Sequence, residues 1–155
     1  MARAVVDSPI GPLGLVASAD ALQAVLFGGD RIRPEGRSPV LAEAERQLHA
    51  YFDGELLEFD LPLELHGSEF HQRCWRALAT IPYGQTVSYG EQALRLGLDH
   101  AAARAVGAAN GRNPVPLDLP CHRVIGANGS LTGFGGGLPV KRFLLEHEGA
   151  LLPLS

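Results

Sequence analysis

The chain has 155 residues, 46% of them hydrophobic, with a net charge of −4 and a mean hydropathy near zero. That is enough for one domain or two small ones with a real core, and no apolar run approaches the ~20 residues of a membrane span. No signal segment opens the sequence, and its two cysteines, Cys74 and Cys121, show no CxxC pairing, so reduced thiols in a cytoplasm are expected, with no structural zinc, other metal or cofactor.

Three short apolar runs come first: Ala4 to Val6, Leu13 to Ala17 and Leu22 to Phe27. A Pro/Gly-rich turn over 7–12 and Ser18-Ala19-Asp20 separate them, which predicts a three-stranded antiparallel meander. Gly28 to Ser38 is polar and rich in Arg, Gly and Pro, hence a loop. Ser38 followed by Pro39 has the form of an N-cap with proline at the first helical position. Leu41, Ala44, Leu48, Tyr51 and Phe52 then recur at helical spacing, and Gly54 supplies a stop. A short strand from Leu61 to Leu65 is predicted to close a first domain over 1–66. Nothing there suggests chemistry; His49 and His66 read as surface residues.

The second domain, 67–155, is denser in signals. Ser68 can cap a helix to about Thr80, with Phe70, Cys74, Trp75 and Leu78 near one face, and Cys74 reads as a small buried hydrophobe. Ser88 to Leu96 and His100 to about Gly111 form two short helices around Gly97-Leu98-Asp99, with Asp99 as cap of the second: a helix-turn-helix pattern. The second helix is nearly all alanine and glycine, with Arg104 its one long polar side chain. Such a face suits close approach to another surface, either a neighbouring helix or the narrow minor groove of a duplex. Asn128-Gly129 between Val124-Ile125 and Leu131-Thr132 predicts a hairpin. Gly133-Phe134-Gly135-Gly136-Gly137 is a permissive loop, and Pro139 opens a last helix ending at Glu146 to Gly149. The fold class is α+β: a small antiparallel sheet with a helix, then a mostly helical domain.

Pro120-Cys121-His122-Arg123-Val124 is the chemical centre of gravity. Proline fixes its own φ and biases Leu119 towards extended backbone, so the thiol of Cys121 is positioned, with a histidine directly beside it. Cys121 reads as a nucleophile. A free thiol ionises near pH 8.5, so it needs a base or a neighbouring positive charge. Charge is also uneven along the chain. Five arginines against eleven acids give −6 over 1–66, whereas seven arginines and one lysine against six acids give +2 over 67–155, a balance that permits a polyanion to dock on the second domain.

Tyr89 in Ser88-Tyr89-Gly90-Glu91, the run Ala102-Ala103-Arg104-Ala105-Val106-Gly107, Asn113-Pro114, Pro120 to Val124, the glycine loop and His147-Glu148-Gly149 together resemble the O6-alkylguanine-DNA alkyltransferase family. The likeness is strong over about 67–149, and Asp7-Ser8-Pro9-Ile10-Gly11 resembles the opening of bacterial members. The resemblance implies a ribonuclease H-like first domain and a winged-helix-like second one. It also implies an activity: irreversible, single-turnover transfer of the alkyl group from O6-alkylguanine, with O4-alkylthymine a second substrate, to Cys121 after the base is flipped from the duplex. Its partner is double-stranded DNA, gripped in the minor groove by a monomer, with cooperative loading left open and no membrane involved. By likeness, Arg104 fills the vacated stack and Tyr89 rotates the phosphate and holds the base. Ala102, Ala103, Ala105, Gly107 and Arg112 line the DNA. His122 takes the thiol proton through a water, Glu148 orients His122, and Asn113 is a hinge. The carbonyls of Cys121 and Val124 accept the base amine, and the Gly135 N–H donates to its oxygen.

Three positions depart from the family pattern. Phe134 replaces a frequent tyrosine at the pocket, Asp118 interrupts a usually apolar segment, and His71 stands where glutamine is common. Other readings stay open on sequence alone. A cysteine hydrolase built on Cys121, His122 and Glu148 leaves Arg104 unexplained; a lesion-binding relative without catalysis would lack Cys121; a transcription regulator would need a dimer or effector site.

Overall fold

The strand Leu13–Ala17 (β2) is buried along nearly its whole length and forms the centre of the first unit. In this computed structural model, which describes residues 1–151, it pairs antiparallel with Ala2–Val6 (β1) on one side and Leu22–Phe27 (β3) on the other. The predicted meander is present. Gly29 belongs to a short 3-10 turn and lies so close to β2 that a Cβ there would sit 2.3 Å from the Gly14 nitrogen, which requires glycine. The 28–38 loop also lends an edge contact, as Arg3 and Glu35 exchange backbone hydrogen bonds of 2.8 and 3.0 Å.

Pro39–Phe52 (α1) starts where the sequence places it. Ser38 Oγ accepts from the Leu41 N–H at 3.4 Å, and Leu41, Ala44, Leu48 and Tyr51 face inwards, with the helix against the sheet. Gln47, also buried, both donates to and accepts from the Asp60 backbone at 3.0 Å, so it pins that segment. The predicted strand 61–65 is not formed. Leu22 alone bridges to Leu63, with bonds from Leu22 N–H to the Pro62 carbonyl and from Glu64 N–H to the Leu22 carbonyl. Pro62 has no N–H to extend the ladder.

Contacts divide the described chain into a unit of Met1–Leu65 with Pro114–Asp118 and a unit of His66–Asn113 with the residues from Leu119 onwards. Residues 114–118, although they lie deep in the second half of the sequence, join the first unit through a bond from the Val25 N–H to the Pro114 carbonyl at 2.9 Å. The final residues of the 67–155 segment, 152–155, lie outside the described residues.

In the second unit, Glu69–Leu78 (α2) is capped by Ser68, and the Trp75 indole N–H donates to the Ala109 carbonyl at 2.7 Å. Val87–Ser88 (β4) leads into Tyr89–Arg95 (α3), whose start is a full capping box between Ser88 and Glu91. Asp99 caps as expected, but it opens a 3-10 turn over His100–Ala102, and only then does Ala103–Asn110 (α4) begin. Cys74, Ala93, Val106 and Ala109 form a core cluster between α2, α3 and α4, with Phe70, Leu96, Leu98 and Ala102 packed on it. Beside them Gln92 and Asn110 exchange two buried amide hydrogen bonds, at 2.7 and 3.1 Å. His71 stacks on Trp75, with ring centroids 5.5 Å apart.

The predicted hairpin is replaced by a different pairing. Val124–Ile125 (β5) runs parallel to β4. Asn128-Gly129 does turn, with φ of 82° at Gly129 and a bond from the Gly126 N–H to the Ser130 carbonyl, but 131–132 adds no strand. The Thr132 carbonyl is taken instead by side chains, the Lys141 ammonium and the Tyr89 hydroxyl. Leu138–His147 (α5) completes the unit.

Candidate active site

Cys121 begins a short 3-10 turn, Cys121–Arg123, between Pro120 and β5. The turn directs three consecutive side chains into different surroundings. The Cys121 thiol meets a recess lined by Tyr89, Gly107, Asn110, Gly133, Phe134 and Gly135, whereas His122 and Arg123 are buried behind it. Five of the predicted residues, Cys121, Tyr89, Gly107, Phe134 and Gly135, therefore surround one space. A Cβ built on Gly135 would meet nothing within 4 Å, so the loop backbone is open there.

Behind the thiol is a buried charge network. His122 Nε2 lies 2.8 Å from Glu148 Oε2, and Arg123 grips the same carboxylate through Nε and Nη2 at 2.8 and 3.0 Å. Arg123 also donates to the Ile81 carbonyl at 2.6 Å and lies over the Tyr83 ring. A carboxylate only accepts, so His122 carries its proton on Nε2 and presents an unprotonated Nδ1. That Nδ1 is buried and has no partner among the described residues. Burial pushes the His122 pKa down from 6.5, against the pull of Glu148, so the imidazole is neutral near pH 7.

Burial also raises the pKa of Cys121, opposed by a hydrogen bond from Asn113 and by the nearby positive charge of Lys141. The resting group is therefore a thiol. Asn113 Nδ2 donates to the Leu119 carbonyl at 2.7 Å, which holds the chain entering Pro120 and Cys121. The carbonyls of Cys121 and Val124 are each already engaged, the first by the Val124 N–H and the second by Lys141 Nζ at 2.6 Å, leaving each a second lone pair.

Sequence reasoning missed Lys141. It is buried, donates to the carbonyls of Val124 and Thr132, and lies 5.9 Å from the Tyr89 ring centroid; desolvation brings its pKa down to about 8. Arg123 carries no role of its own in the motif Pro120 to Val124, yet it neutralises Glu148. Glycines before a lone lysine gave no hint of either task.

The alanine helix packs one face into the core and leaves the other exposed. Val106, Ala109 and Asn110 are buried, Ala102 packs on the core, and Arg104, Ala105 and Ala108 are exposed. Arg104, Ala103, Gly107 and Tyr89 line an apolar hollow at the surface, while Ala105 and Arg112 stand exposed outside both hollows. Among the described residues no helix is long and apolar enough to cross a membrane, and no cluster of His, Cys, Asp and Glu could hold a metal ion.

An α+β chain whose second unit sets a partly exposed cysteine beside a buried His–Glu–Arg network has the make-up of an enzyme with a cysteine nucleophile. Residues 1–65 match the 6-O-methylguanine DNA methyltransferase ribonuclease-like domain, and residues 69–150 match the DNA-binding domain of the same family. The chain belongs to the 6-O-methylguanine DNA methyltransferase family. Its similarity extends to the methylated-DNA–protein-cysteine methyltransferase of Mycobacterium bovis, at 50% identity over 96% of this chain and 92% of that one. The protein of that name from Methanosarcina acetivorans is 48% identical, covering 97% of this chain and 99% of the other. Among solved structures, Mycobacterium tuberculosis OGT in complex with DNA superposes with a TM-score of 0.86 at 51% identity, over 94% of this chain and 91% of that chain.

Proposed function

We propose that the protein repairs DNA directly, as a methylated-DNA–protein-cysteine methyltransferase that moves the alkyl group of O6-alkylguanine, and of O4-alkylthymine, onto Cys121 once per molecule. The observation that carries this reading is the buried His122–Glu148–Arg123 network behind a thiol that opens into a recess. Duplex DNA is the partner, met by a monomer in the cytoplasm. Arg104, exposed among alanines, enters the stack, while Ala102, Ala103, Ala105, Gly107 and Arg112 lie along the minor groove. Small side chains let the helix approach sugars and phosphates closely.

The flipped base leaves its stack at a cost of a few kcal/mol, least for a poorly paired lesion. In the recess Tyr89 donates to it, the second lone pairs of the Cys121 and Val124 carbonyls take its amine, and the Gly135 N–H meets its oxygen. His122 Nδ1 takes the thiol proton through a water, and Glu148 stabilises the resulting imidazolium, as in a nucleophile–base–orienter set. Sulfur then attacks the alkyl carbon: an S–C bond forms, the C–O bond breaks, and the proton returns through His122 to the guanine. The product is a thioether, without a polarised carbonyl for water to attack, so the cysteine is not regenerated. Phe134, lacking a hydroxyl at the recess wall, gives that wall an apolar contact for the alkyl group.

The test is a titration of protein against duplex DNA carrying radiolabelled O6-methylguanine. Label transferred to protein should stop at one equivalent, and transfer continuing past one would overturn single turnover. Arg104→Ala should slow transfer from duplex at least tenfold yet react normally with free O6-benzylguanine base; equal losses on both would remove Arg104 from the flipping step.

A further inference from the structure

Tyr89 is the first residue of α3, and its ring is held by unusual neighbours. A Cβ on Gly107 would lie 3.4 Å from ring atoms Cδ1 and Cε1, so the ring rests against the α4 backbone, and the Lys141 ammonium lies 5.9 Å from its centroid. Both hydrogen bonds of its hydroxyl go to a single residue. Thr132 Oγ1 donates to the phenol oxygen at 3.2 Å, and the phenol donates to the Thr132 carbonyl at 3.3 Å. That carbonyl also accepts from Lys141 Nζ at 2.8 Å. Thr132 thus precedes the Gly133–Gly137 loop and ties it to both Tyr89 and Lys141.

The geometry points to Thr132 as a positioning residue for the tyrosine hydroxyl, one that lets Tyr89 turn its proton from the protein to the base without stranding any group. It rests on the proposed role of Tyr89 in holding the flipped base. A phenol has one proton. When a base acceptor takes it, the Thr132 carbonyl keeps its bond to Lys141, and Thr132 Oγ1 goes on donating to the phenol oxygen. A donor on that oxygen polarises the O–H bond and strengthens the donation to the base. Only the 3.3 Å bond is exchanged, the weaker of the two that the carbonyl accepts. A residue without a hydroxyl at 132 would remove the donor that polarises the phenol, and so weaken its donation to the base.

The experiment is a double-mutant cycle between Thr132 and Tyr89, read by single-turnover transfer from duplex O6-methylguanine at saturating protein. Thr132→Val should slow transfer about threefold to tenfold, the worth of one hydrogen bond, with affinity for unmodified duplex unchanged. Thr132→Ser should restore the rate to within about twofold. In a Tyr89→Phe background Thr132→Val should cost nothing more. A Thr132→Val protein as fast as the native one, or an equal loss in both backgrounds, would overturn the assignment. Amide hydrogen exchange of Gly133 to Gly137 without DNA supplies the reading that needs no activity. Thr132→Val and Tyr89→Phe should each speed it, with the double variant no faster than either, and unchanged exchange in both would overturn the assignment. Absence of transfer by the native protein would sink the proposed function, while the exchange result would still decide the Thr132–Tyr89 link.

Discussion

Glu148 carries more than its sequence neighbourhood advertises. One carboxylate is hydrogen-bonded to His122 and is the counter-charge of buried Arg123. Glu148→Gln removes the charge from both at once. An amide offers one acceptor oxygen where three donors now converge, and Arg123 is left as an uncompensated buried cation. Breaking a buried pair in this way costs about 3–5 kcal/mol, so the variant should unfold at clearly lower denaturant and lose transfer; an unchanged midpoint would contradict the network's role. The same burial sets a pH dependence. Because the folded His122 pKa lies below 6.5, the unfolded chain takes up that proton first. Stability resting on neutral His122 is whole above about 6.5 and declines as pH falls through that value towards the folded pKa, and the transfer rate should fall over the same acid limb.

At the level of elements, the segments that announced themselves were those closed by side-chain caps. Ser38, Ser68 and Asp99 all make the bonds their positions predict, because a cap is a local interaction between residues two or three apart. The segments that misled depend on partners far along the chain. Leu61 to Leu65 has the composition of a strand but Pro62 within it, and Leu131-Thr132 lost its hairpin role to Lys141 and Tyr89. Residues 114–118 are the sharpest case. Leu117 is a non-glycine residue at φ 79°, and the neighbouring Asp118 holds a buried carboxyl oxygen with no partner among the described residues. Burial raises the Asp118 pKa to about 7, so the folded protein keeps a proton that the unfolded chain releases near 3.8. The associated stability is complete below 3.8 and is lost as pH rises through about 7. Asp118→Asn removes the charge without changing shape, and should stabilise the protein by about 1–3 kcal/mol at pH 8, with the gain gone near pH 4. Thermal melts at the two pH values check this, and no gain at pH 8 would contradict it.

For the molecule as a whole, the proposed acceptor Cys121 and the residues buried behind it were legible because they sit in contiguous motifs: Pro120 to Val124, and His147-Glu148-Gly149. What the sequence could not convey is the set of interactions with backbone carbonyls. Lys141 on Val124 and Thr132, Arg123 on Ile81, Trp75 on Ala109 and Asn113 on Leu119 all bond to groups present in every residue, and such partners leave no mark on composition or spacing. Two cysteines of opposite character complete the picture. Cys74 is fully buried in the α2–α3–α4 core, and Cys121 is partly exposed at the recess. On the proposed function, alkyl transfer goes to Cys121 and not to Cys74. The direct measurement is intact mass and peptide fragmentation after the native protein meets an equimolar duplex carrying O6-methylguanine. One added methylene, located on Cys121 and absent from a Cys121→Ala variant, is the predicted result; an unchanged mass, or the methyl group on Cys74, would contradict it.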